Sequence, residues 1–153
     1  MKMEEDQMDQ FDLQILSLLQ RDGRISTAEL GRKIGLSTTA TKERVKKLED
    51  EGVIESYAAI INQKAVGYGL TAFITIPVGD IGIKEMGDRL TALPEVTECH
   101  KVTGNTCFLI KVMVKDADHL EHLVDGINDY ARNTYTYLAL STLKENGQVP
   151  ISE

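Results

Sequence analysis

The sequence lacks the features that define several protein classes. It contains only two cysteines, Cys99 and Cys107, which cannot build a disulfide framework and are expected to be free thiols in a reducing compartment. No apolar run approaches the roughly 20 residues that a membrane span needs. The acidic start (Glu4, Glu5, Asp6) lacks the basic and apolar regions of a signal peptide. We therefore expect a cytoplasmic protein that does not enter a membrane.

Motifs for catalysis and nucleotide binding are also missing. The chain has no Gly-x-Ser-x-Gly nucleophile motif, no phosphate-binding loop and no dinucleotide fingerprint. Possible metal ligands exist, namely Cys99, His100, Cys107, His119 and His122. The cysteines, however, are eight positions apart and form no Cys-x-x-Cys pair. We predict neither an enzyme nor a metal site nor a cofactor. An exposed Cys107 could still act as a redox-sensitive thiol, whereas Cys99 is interpreted as a small apolar strand residue.

Positive charge is scarce, and it is concentrated in one region. The 153 residues carry a formal charge of −7, yet residues 21–48 hold eight basic side chains against three acidic ones. From residue 49 onward, eight basic side chains stand against sixteen acidic ones. A basic segment in an acidic chain can bind nucleic acid while the remainder keeps the molecule soluble. Mixed surfaces are common, so the charge must be judged together with the helices that carry it.

Helical periodicity and capping residues predict three helices in the first 53 residues. The first runs from about 9 to 20, and its apolar stripe consists of Phe11, Ile15, Leu18 and Leu19. The second begins at the capping-box pair Ser26 and Glu29. The third follows the N-cap Ser37 and ends near Gly52. Two such helices joined by a tight turn are typical of a helix-turn-helix, which spans about 27–46.

The third helix is the candidate recognition helix. With Thr41, Val45 and Leu48 facing inward, the first turn and most of the lysines point outward, where hydroxyl groups can reach bases and ammonium groups can neutralise phosphates. Arg44 lies on the shoulder of this face and is either a phosphate contact or a structural ion pair. The candidate DNA contacts are Ser37, Thr38, Thr39, Lys42, Arg44 and Lys46.

Beyond residue 53 the pattern changes from helical to extended. Residues 54–69 are interpreted as a connecting strand and hinge, and residues 70–153 as a second domain. The predicted strands of that domain are 70–78, 96–102, 107–114 and 134–144, and the predicted helices are about 83–93 and 116–127. This βαββαβ order indicates an α+β, ferredoxin-like fold with both helices on one face of an antiparallel sheet. The other face, formed by Leu70, Ala72, Ile74 and Ile76 or by their alternates, must be covered by a second copy.

Helix-turn-helix, connecting strand and ferredoxin-like domain, in this order, resemble the Lrp/AsnC or feast/famine family of transcriptional regulators. The segments that carry the resemblance are "FDLQILSLLQRDGRIS", "ELGRKIGLS", "ERVKKLEDEGVI" and "VTECHKVTGNTCFLIKV". The resemblance implies a regulator that binds double-stranded DNA as a homodimer built through its C-terminal sheets, often assembled into octamers. It also implies an amino-acid effector bound in the C-terminal domain.

The effector site implied by this resemblance lies at the turn between the second and third strands of the domain. Its candidate residues are Thr103, Gly104, Asn105, Thr106 and Cys107, with Thr134 and Thr136 from the last strand. Cys107 occupies a position where the family commonly has an acidic residue, which makes an ordinary amino-acid ligand less secure. Two alternatives stay open: a DNA-organising protein of the same family without an effector, and a ferredoxin-like metabolite-binding protein with an incidental helical cap.

Overall fold

The computed structural model describes residues 8–79 and 81–151 of the chain. The acidic start at residues 4–6 lies outside these residues. The described residues form two compact units, one of 8–60 with 144–151 and one of 61–143. The sequence prediction had assigned all of 70–153 to the C-terminal domain, whereas the structure groups the last residues with the N-terminal unit.

Three helices build the N-terminal unit: α1 (Gln10–Arg21), α2 (Thr27–Ile34) and α3 (Thr38–Asp50). Their apolar core consists of Ile15, Leu30, Ile34 and Leu48. The prediction that Phe11 belongs to this buried stripe was wrong, because 37% of its surface is exposed. Its ring instead lies beneath the guanidinium of Arg44, 5.3 Å from it. Cation–π stacking at the surface accounts for an aromatic residue at this position.

Capping residues set the limits of these helices. The Ser26 hydroxyl accepts a hydrogen bond from the backbone N–H of Glu29 at 3.2 Å, as predicted. The reciprocal capping box, however, occurs at the start of α1, between Asp9 and Asp12. Helix α2 ends at Gly35, whose left-handed conformation (φ 76°) suits a glycine.

One glycine permits the close approach of α2 to α3. A Cβ on Gly31 would lie 2.7 Å from the Leu36 carbonyl oxygen and 2.8 Å from the Thr41 hydroxyl oxygen. Both distances are far shorter than van der Waals contact, so any larger side chain must push the helices apart. The turn of the helix-turn-helix is therefore tight because residue 31 carries no side chain.

The second unit contains a four-stranded antiparallel sheet and two helices. In chain order the elements are β1 (Leu70–Ile76), α4 (Ile83–Thr91), β2 (Val96–Lys101), β3 (Phe108–Val114), α5 (Ala117–Asn128) and β4 (Tyr135–Leu138). The strand order across the sheet is β2-β3-β1-β4. Apolar side chains of β1 and β3 pack on Met86 and Leu90 of α4 and on Leu123 and Ile127 of α5. Both helices thus cover one face, and the predicted βαββαβ, ferredoxin-like α+β fold is confirmed.

Several predicted strands are shorter in the structure. Strand β1 ends before Pro77, which has no N–H to donate to a neighbouring strand. The last strand covers only Tyr135–Leu138 of the predicted 134–144, because its hydrogen bonds to β1 end with that of Ala139 N–H to the Thr71 carbonyl. Residues 53–62 lie in neither helix nor strand, and Gln63–Val66 form a 3₁₀ helix. Among residues 8–79 and 81–151, the predicted connecting strand has no hydrogen-bonded neighbouring strand, and a strand requires one.

The helices of the two described ranges are all too short or too polar to cross a membrane.

Candidate nucleic-acid interface and effector loop

The exposed side of α3 carries the residues predicted to contact DNA. Thr38, Thr39, Lys42 and Lys46 are exposed, and within the described residues neither lysine forms an ion pair. Glu43 lies between the two lysines in the sequence and is also exposed. The face therefore offers two hydroxyl groups in the first turn and two uncommitted ammonium groups behind them. Such a set can donate to base edges and to phosphate oxygens.

The opposite side of α3 fixes this orientation. Thr41 and Leu48 are fully or almost fully buried, and Val45 packs partly buried against the same core. The Thr41 hydroxyl donates to the Ser37 carbonyl oxygen at 2.8 Å, so its polar group is satisfied inside the core. The predicted inward stripe is thus the observed one, which turns the predicted DNA face toward solvent. Contact with DNA itself stays a prediction.

Ser37 serves the helix start. Its side-chain oxygen accepts from the backbone N–H of Ala40 at 3.2 Å, the bond expected of an N-cap. The hydroxyl proton is left to donate outward, so Ser37 can hold the first turn and still reach a phosphate oxygen.

Arg44 forms the structural ion pair that was one of its two predicted roles. Its Nη1 lies 2.8 Å from an Asp9 carboxylate oxygen and 2.9 Å from an Asp12 carboxylate oxygen, while its guanidinium stacks on Phe11. The hydrogen bond to Asp12, followed by that to Asp9, raises the pKa of Arg44 despite the opposing effect of burial. The structure therefore shows the ion pair of the two predicted alternatives, and Arg44 fastens α3 to α1.

Sequence reasoning missed the partners of Arg44, although a signal was present. The run Asp9-Gln10-Phe11-Asp12 places an N-cap acid three residues before a second acid, which is the spacing of a capping box. Such a pair concentrates two carboxylates at the beginning of α1. An arginine placed about 60° from the buried stripe of α3 is the natural partner for them.

The end of α3 is held by the segment that follows it. The backbone N–H of Ile54 donates to the Leu48 carbonyl at 3.0 Å, and the Tyr57 hydroxyl donates to a Glu49 carboxylate oxygen at 2.9 Å. Burial, together with this carboxylate, raises the pKa of Tyr57 to about 12, so the hydroxyl keeps its proton at neutral pH. Residues 53–57 therefore brace the C-terminal half of the candidate recognition helix.

The predicted effector turn joins β2 to β3. Thr103, Gly104 and Asn105 are exposed, and Gly104 adopts a positive φ of 105° that other residues rarely tolerate. Cys107 differs from the other candidates because it is buried in the core of the domain. Its N–H donates to the Ile76 carbonyl and its own carbonyl accepts from Val102 N–H, both at 2.9 Å. Its thiol is therefore a core group, which removes it as an effector ligand and as an exposed redox sensor.

Thr134 and Thr136 do not adjoin this turn directly. Thr136 pairs with Ile74 of β1, and β1 separates β4 from β3 in the sheet. Two strand spacings put the turn and β4 about 10 Å apart. The Thr134 hydroxyl donates to the Asn128 side-chain oxygen at 2.8 Å, at the end of α5. The predicted effector residues thus share one end of the sheet but form two separate groups.

The sheet face away from the helices carries the alternate residues of each strand. Ala72, Ile74 and Ile76 face the helices. The open face is therefore formed by the residues of β1 that alternate with them. Phe73 of β1 is opposite Tyr137 of β4, and both side chains are exposed. The face continues to Leu109 and to Lys111, whose Nζ lies 3.2 Å from a Glu98 carboxylate oxygen. Exposed aromatic surface beside an ion pair is typical of a protein interface.

The histidines and cysteines considered as metal ligands have other environments. His119 Nε2 lies 3.0 Å from a Glu95 carboxylate oxygen, and its Nδ1 accepts from Lys115 N–H. Burial raises the pKa of the Cys99 thiol, which makes it less reactive. In the parts of the chain that the structure describes, no three His, Cys, Asp or Glu side chains are grouped so that they could hold a metal ion.

Comparison with known proteins identifies the family. Residues 8–49 match the model of the AsnC-type helix-turn-helix domain, and residues 71–149 match that of the Lrp/AsnC ligand binding domain. The chain belongs to the Lrp/AsnC family. It is 33% identical to the leucine-responsive regulatory protein of Klebsiella pneumoniae, with 94% of this chain and 92% of that protein covered. It is 32% identical to the transcriptional regulator LrpB of Bacillus subtilis, with 92% and 93% covered.

Solved structures of Lrp/AsnC proteins share the fold. A transcriptional regulator of Neisseria meningitidis in complex with L-methionine superposes with a TM-score of 0.88 at 29% identity, covering 94% of this chain and 97% of that one. The feast or famine regulatory protein of M. tuberculosis complexed with L-methionine also gives 0.88, at 33% identity, covering 95% and 100%. The chain is thus a DNA-binding transcriptional regulator, and its relatives are named for regulation rather than for catalysis.

Proposed function

We propose that the chain regulates transcription as a homodimer that presents two α3 helices to successive half-sites of an operator. The observation that carries this proposal is the outward face of α3, with Thr38 and Thr39 in the first turn and two exposed lysines, Lys42 and Lys46, behind them. Two-fold symmetry requires half-sites about one helical turn of DNA apart. A protein that binds operator DNA acts where the DNA is, which supports the predicted cytoplasmic location.

The residues of this face have different roles in the proposal. Lys42 and Lys46 neutralise phosphates and supply most of the affinity, because each phosphate contact releases a bound counterion. Thr38 and Thr39 approach base edges, so they set sequence preference. Arg44 makes no phosphate contact and acts only by positioning the helix.

The dimer forms through the open face of the sheet. Phe73, Tyr135 and Tyr137 expose 37%, 64% and 57% of their surfaces, and they lie side by side on β1 and β4. Water contact with so much aromatic surface is unfavourable, and pairing this face with its own copy removes it. Further contacts between dimers can then build the octamers implied by the family.

An amino-acid-like molecule at the 103–106 turn would modulate DNA binding. Gly104 leaves the backbone N–H groups of the turn open to a carboxylate, and Asn105 can donate or accept without charge. The described turn offers no carboxylate for an ammonium group, because a buried cysteine stands at residue 107. We therefore expect either weak binding of ordinary amino acids or a ligand that lacks the ammonium group. The methionine complexes of two relatives support this class of ligand.

A thermal-shift panel of amino acids and related carboxylic acids tests the effector. A ligand that binds the folded state raises the melting temperature by mass action, and Asn105→Ala should abolish that shift without lowering the melting temperature of the free protein. Val78→Ala, which changes an exposed residue outside the turn, is the control. If no compound shifts the wild-type protein, the alternative without an effector is favoured. In that case the same protein should also bind unrelated DNA as tightly as promoter DNA.

A further inference from the structure

The C-terminal segment of the chain is bound to the first helix by a pair of hydrogen bonds. The backbone N–H of Val149 donates to the side-chain oxygen of Gln20 at 2.7 Å. The side-chain nitrogen of Gln20 donates in turn to the Val149 carbonyl at 3.2 Å. The amide of Gln20 thus imitates the backbone of a neighbouring strand. It recognises the main chain of residue 149 and does not depend on the side chain there.

This contact lies at the edge of an apolar groove. The groove has a volume of about 600 Å³, and α1, the segment after α3 and the C-terminal segment all line it. Leu16 and Leu19 form the α1 wall, and Val53 and Ile54 form the opposite wall. Val149 and Ile151 contribute the only tail side chains that line it within the described residues. The tail therefore covers apolar surface that would otherwise be open to water.

The opposite wall of the groove holds the recognition helix. Ile54 donates its N–H to the Leu48 carbonyl, and Tyr57 donates its hydroxyl to Glu49. Leu48 is also a core residue of the helix-turn-helix unit. Val149 and residues 53–57 therefore line one groove, and residues 53–57 contact the C-terminal half of α3.

We propose that residues 147–151 are a releasable brace for the DNA-binding unit. When the tail is docked on Gln20, it covers part of the groove and keeps residues 53–57 against α3, which favours DNA binding. When the tail is released, residues 53–57 loosen and the recognition helix loses part of its support. The proposal rests on the DNA-binding function and adds a control element to it.

The docked tail is suited to release. Val149 keeps 68% of its surface exposed, and only neutral groups make the two hydrogen bonds. Exposed neutral hydrogen bonds of this kind are opened by local fluctuations far more readily than a buried core. The tail follows β4 along the chain, so a change at β4 is covalently linked to a contact on α1.

Hydrogen exchange of the full-length protein tests the docking. Gln20→Ala removes both hydrogen bonds, and exchange of the peptide that covers 147–151 should accelerate about fivefold or more, as the loss of one or two neutral hydrogen bonds predicts. Exchange at 53–57 should accelerate as well. Gln20→Glu keeps the acceptor for Val149 N–H and should have an intermediate effect. Gln14→Ala makes the same change on the same helix away from the tail and should leave both segments unchanged.

DNA binding by the same variants tests the brace. We expect Gln20→Ala and a chain that ends at residue 146 to weaken binding of promoter-length DNA severalfold, by similar factors, while Gln14→Ala binds as the wild type does. Equal exchange of 147–151 in the wild-type and Gln20→Ala proteins would overturn the proposal. So would unchanged DNA affinity after removal of the tail. Failure of the wild-type protein to bind any DNA would instead contradict the function, which separates the two results.

Discussion

Arg44 of α3 donates to the carboxylate of Asp12 in α1 at a distance of 2.9 Å. Asp12 is buried, so its carboxylate has little access to water, and Arg44 supplies the positive charge beside it. The pair determines how the candidate recognition helix is set against the helix that precedes the helix-turn-helix. It also means that the most buried cation of α3 forms ion pairs within the fold.

Replacing Arg44 should therefore affect stability more than DNA contact. Arg44→Ala leaves the Asp12 carboxylate without its partner, and a cost of about 1–3 kcal/mol in the free energy of unfolding follows. Arg44→Lys should recover part of this, because an ammonium group cannot reproduce the fork of a guanidinium or its stacking on Phe11. Urea titration measures the cost, and the exposed Lys42→Ala variant of the same helix is the control. A loss no larger than that of the control would contradict the structural role.

The cap at Asp9 predicts a pH dependence of stability. The hydrogen bond from Asp12 N–H, with help from Arg44 and against the effect of burial, lowers the pKa of Asp9 below its usual 3.8. Because the folded state favours the carboxylate, this stabilisation is present above the unfolded pKa and is lost as the pH falls through the folded pKa. Asp9→Asn keeps an oxygen acceptor but removes the charge. The difference in unfolding free energy between wild type and Asp9→Asn should be constant above about pH 5 and shrink below pH 4. A difference that does not change with pH would be inconsistent with a charged cap.

Two helical glycines predict opposite effects of the same substitution. Gly31→Ala should cost about 1–3 kcal/mol, because its Cβ meets the Leu36 carbonyl and the Thr41 hydroxyl at less than 3 Å. At Gly126, in α5, an added Cβ would have no described atom outside its own helix turn within 4 Å, and Gly126→Ala should stabilise by roughly 0.5–1 kcal/mol. Thermal unfolding of the two variants compares them directly. Equal effects at both positions would show that α2 and α3 pack less closely than described.

The open sheet face predicts the oligomeric state. Phe73→Asp places a charge in the centre of the aromatic patch and should convert the dimer to monomer at micromolar concentration in sedimentation velocity. Ile83→Asp makes the same change at an exposed position on the helix-covered side and should leave the dimer intact. A wild-type monomer, or a dimer that persists with Phe73→Asp, would exclude this face as the interface.

Local sequence signals were sufficient to predict the elements of both units. Ser26 and Ser37 each cap the helix that follows them, as predicted. Alternation along β1 identified its two faces, but which face the helices cover depends on packing against α4 and α5. The open face proved to be the alternate set that contains Phe73, because Ala72, Ile74 and Ile76 pack against the helices.

Contacts between residues distant in the sequence could not be predicted from sequence patterns. Gln20 and Val149 are 129 positions apart, and nothing in either local segment indicates that they pair. Cys107 was assigned to the effector turn by its position in the sequence, yet its side chain points into the core. The part of the turn that a ligand can reach therefore ends one residue earlier than the motif suggested. The short length of β4 could not be predicted for the same reason, since the length of an edge strand depends on its neighbour.

The salt dependence of operator affinity tests the DNA-binding face of α3 most directly. Each phosphate contact contributes about 0.9 to the slope of log affinity against log salt concentration. We predict that Lys46→Ala flattens this slope by about one unit and weakens binding to all sequences, whereas Thr39→Ala keeps the slope and changes base preference. Lys84→Ala, whose ammonium pairs with Asp88 on α4, should leave the slope unchanged. An unchanged slope for Lys46→Ala, or no retention of promoter-length DNA by the wild-type protein at low salt, would contradict the account.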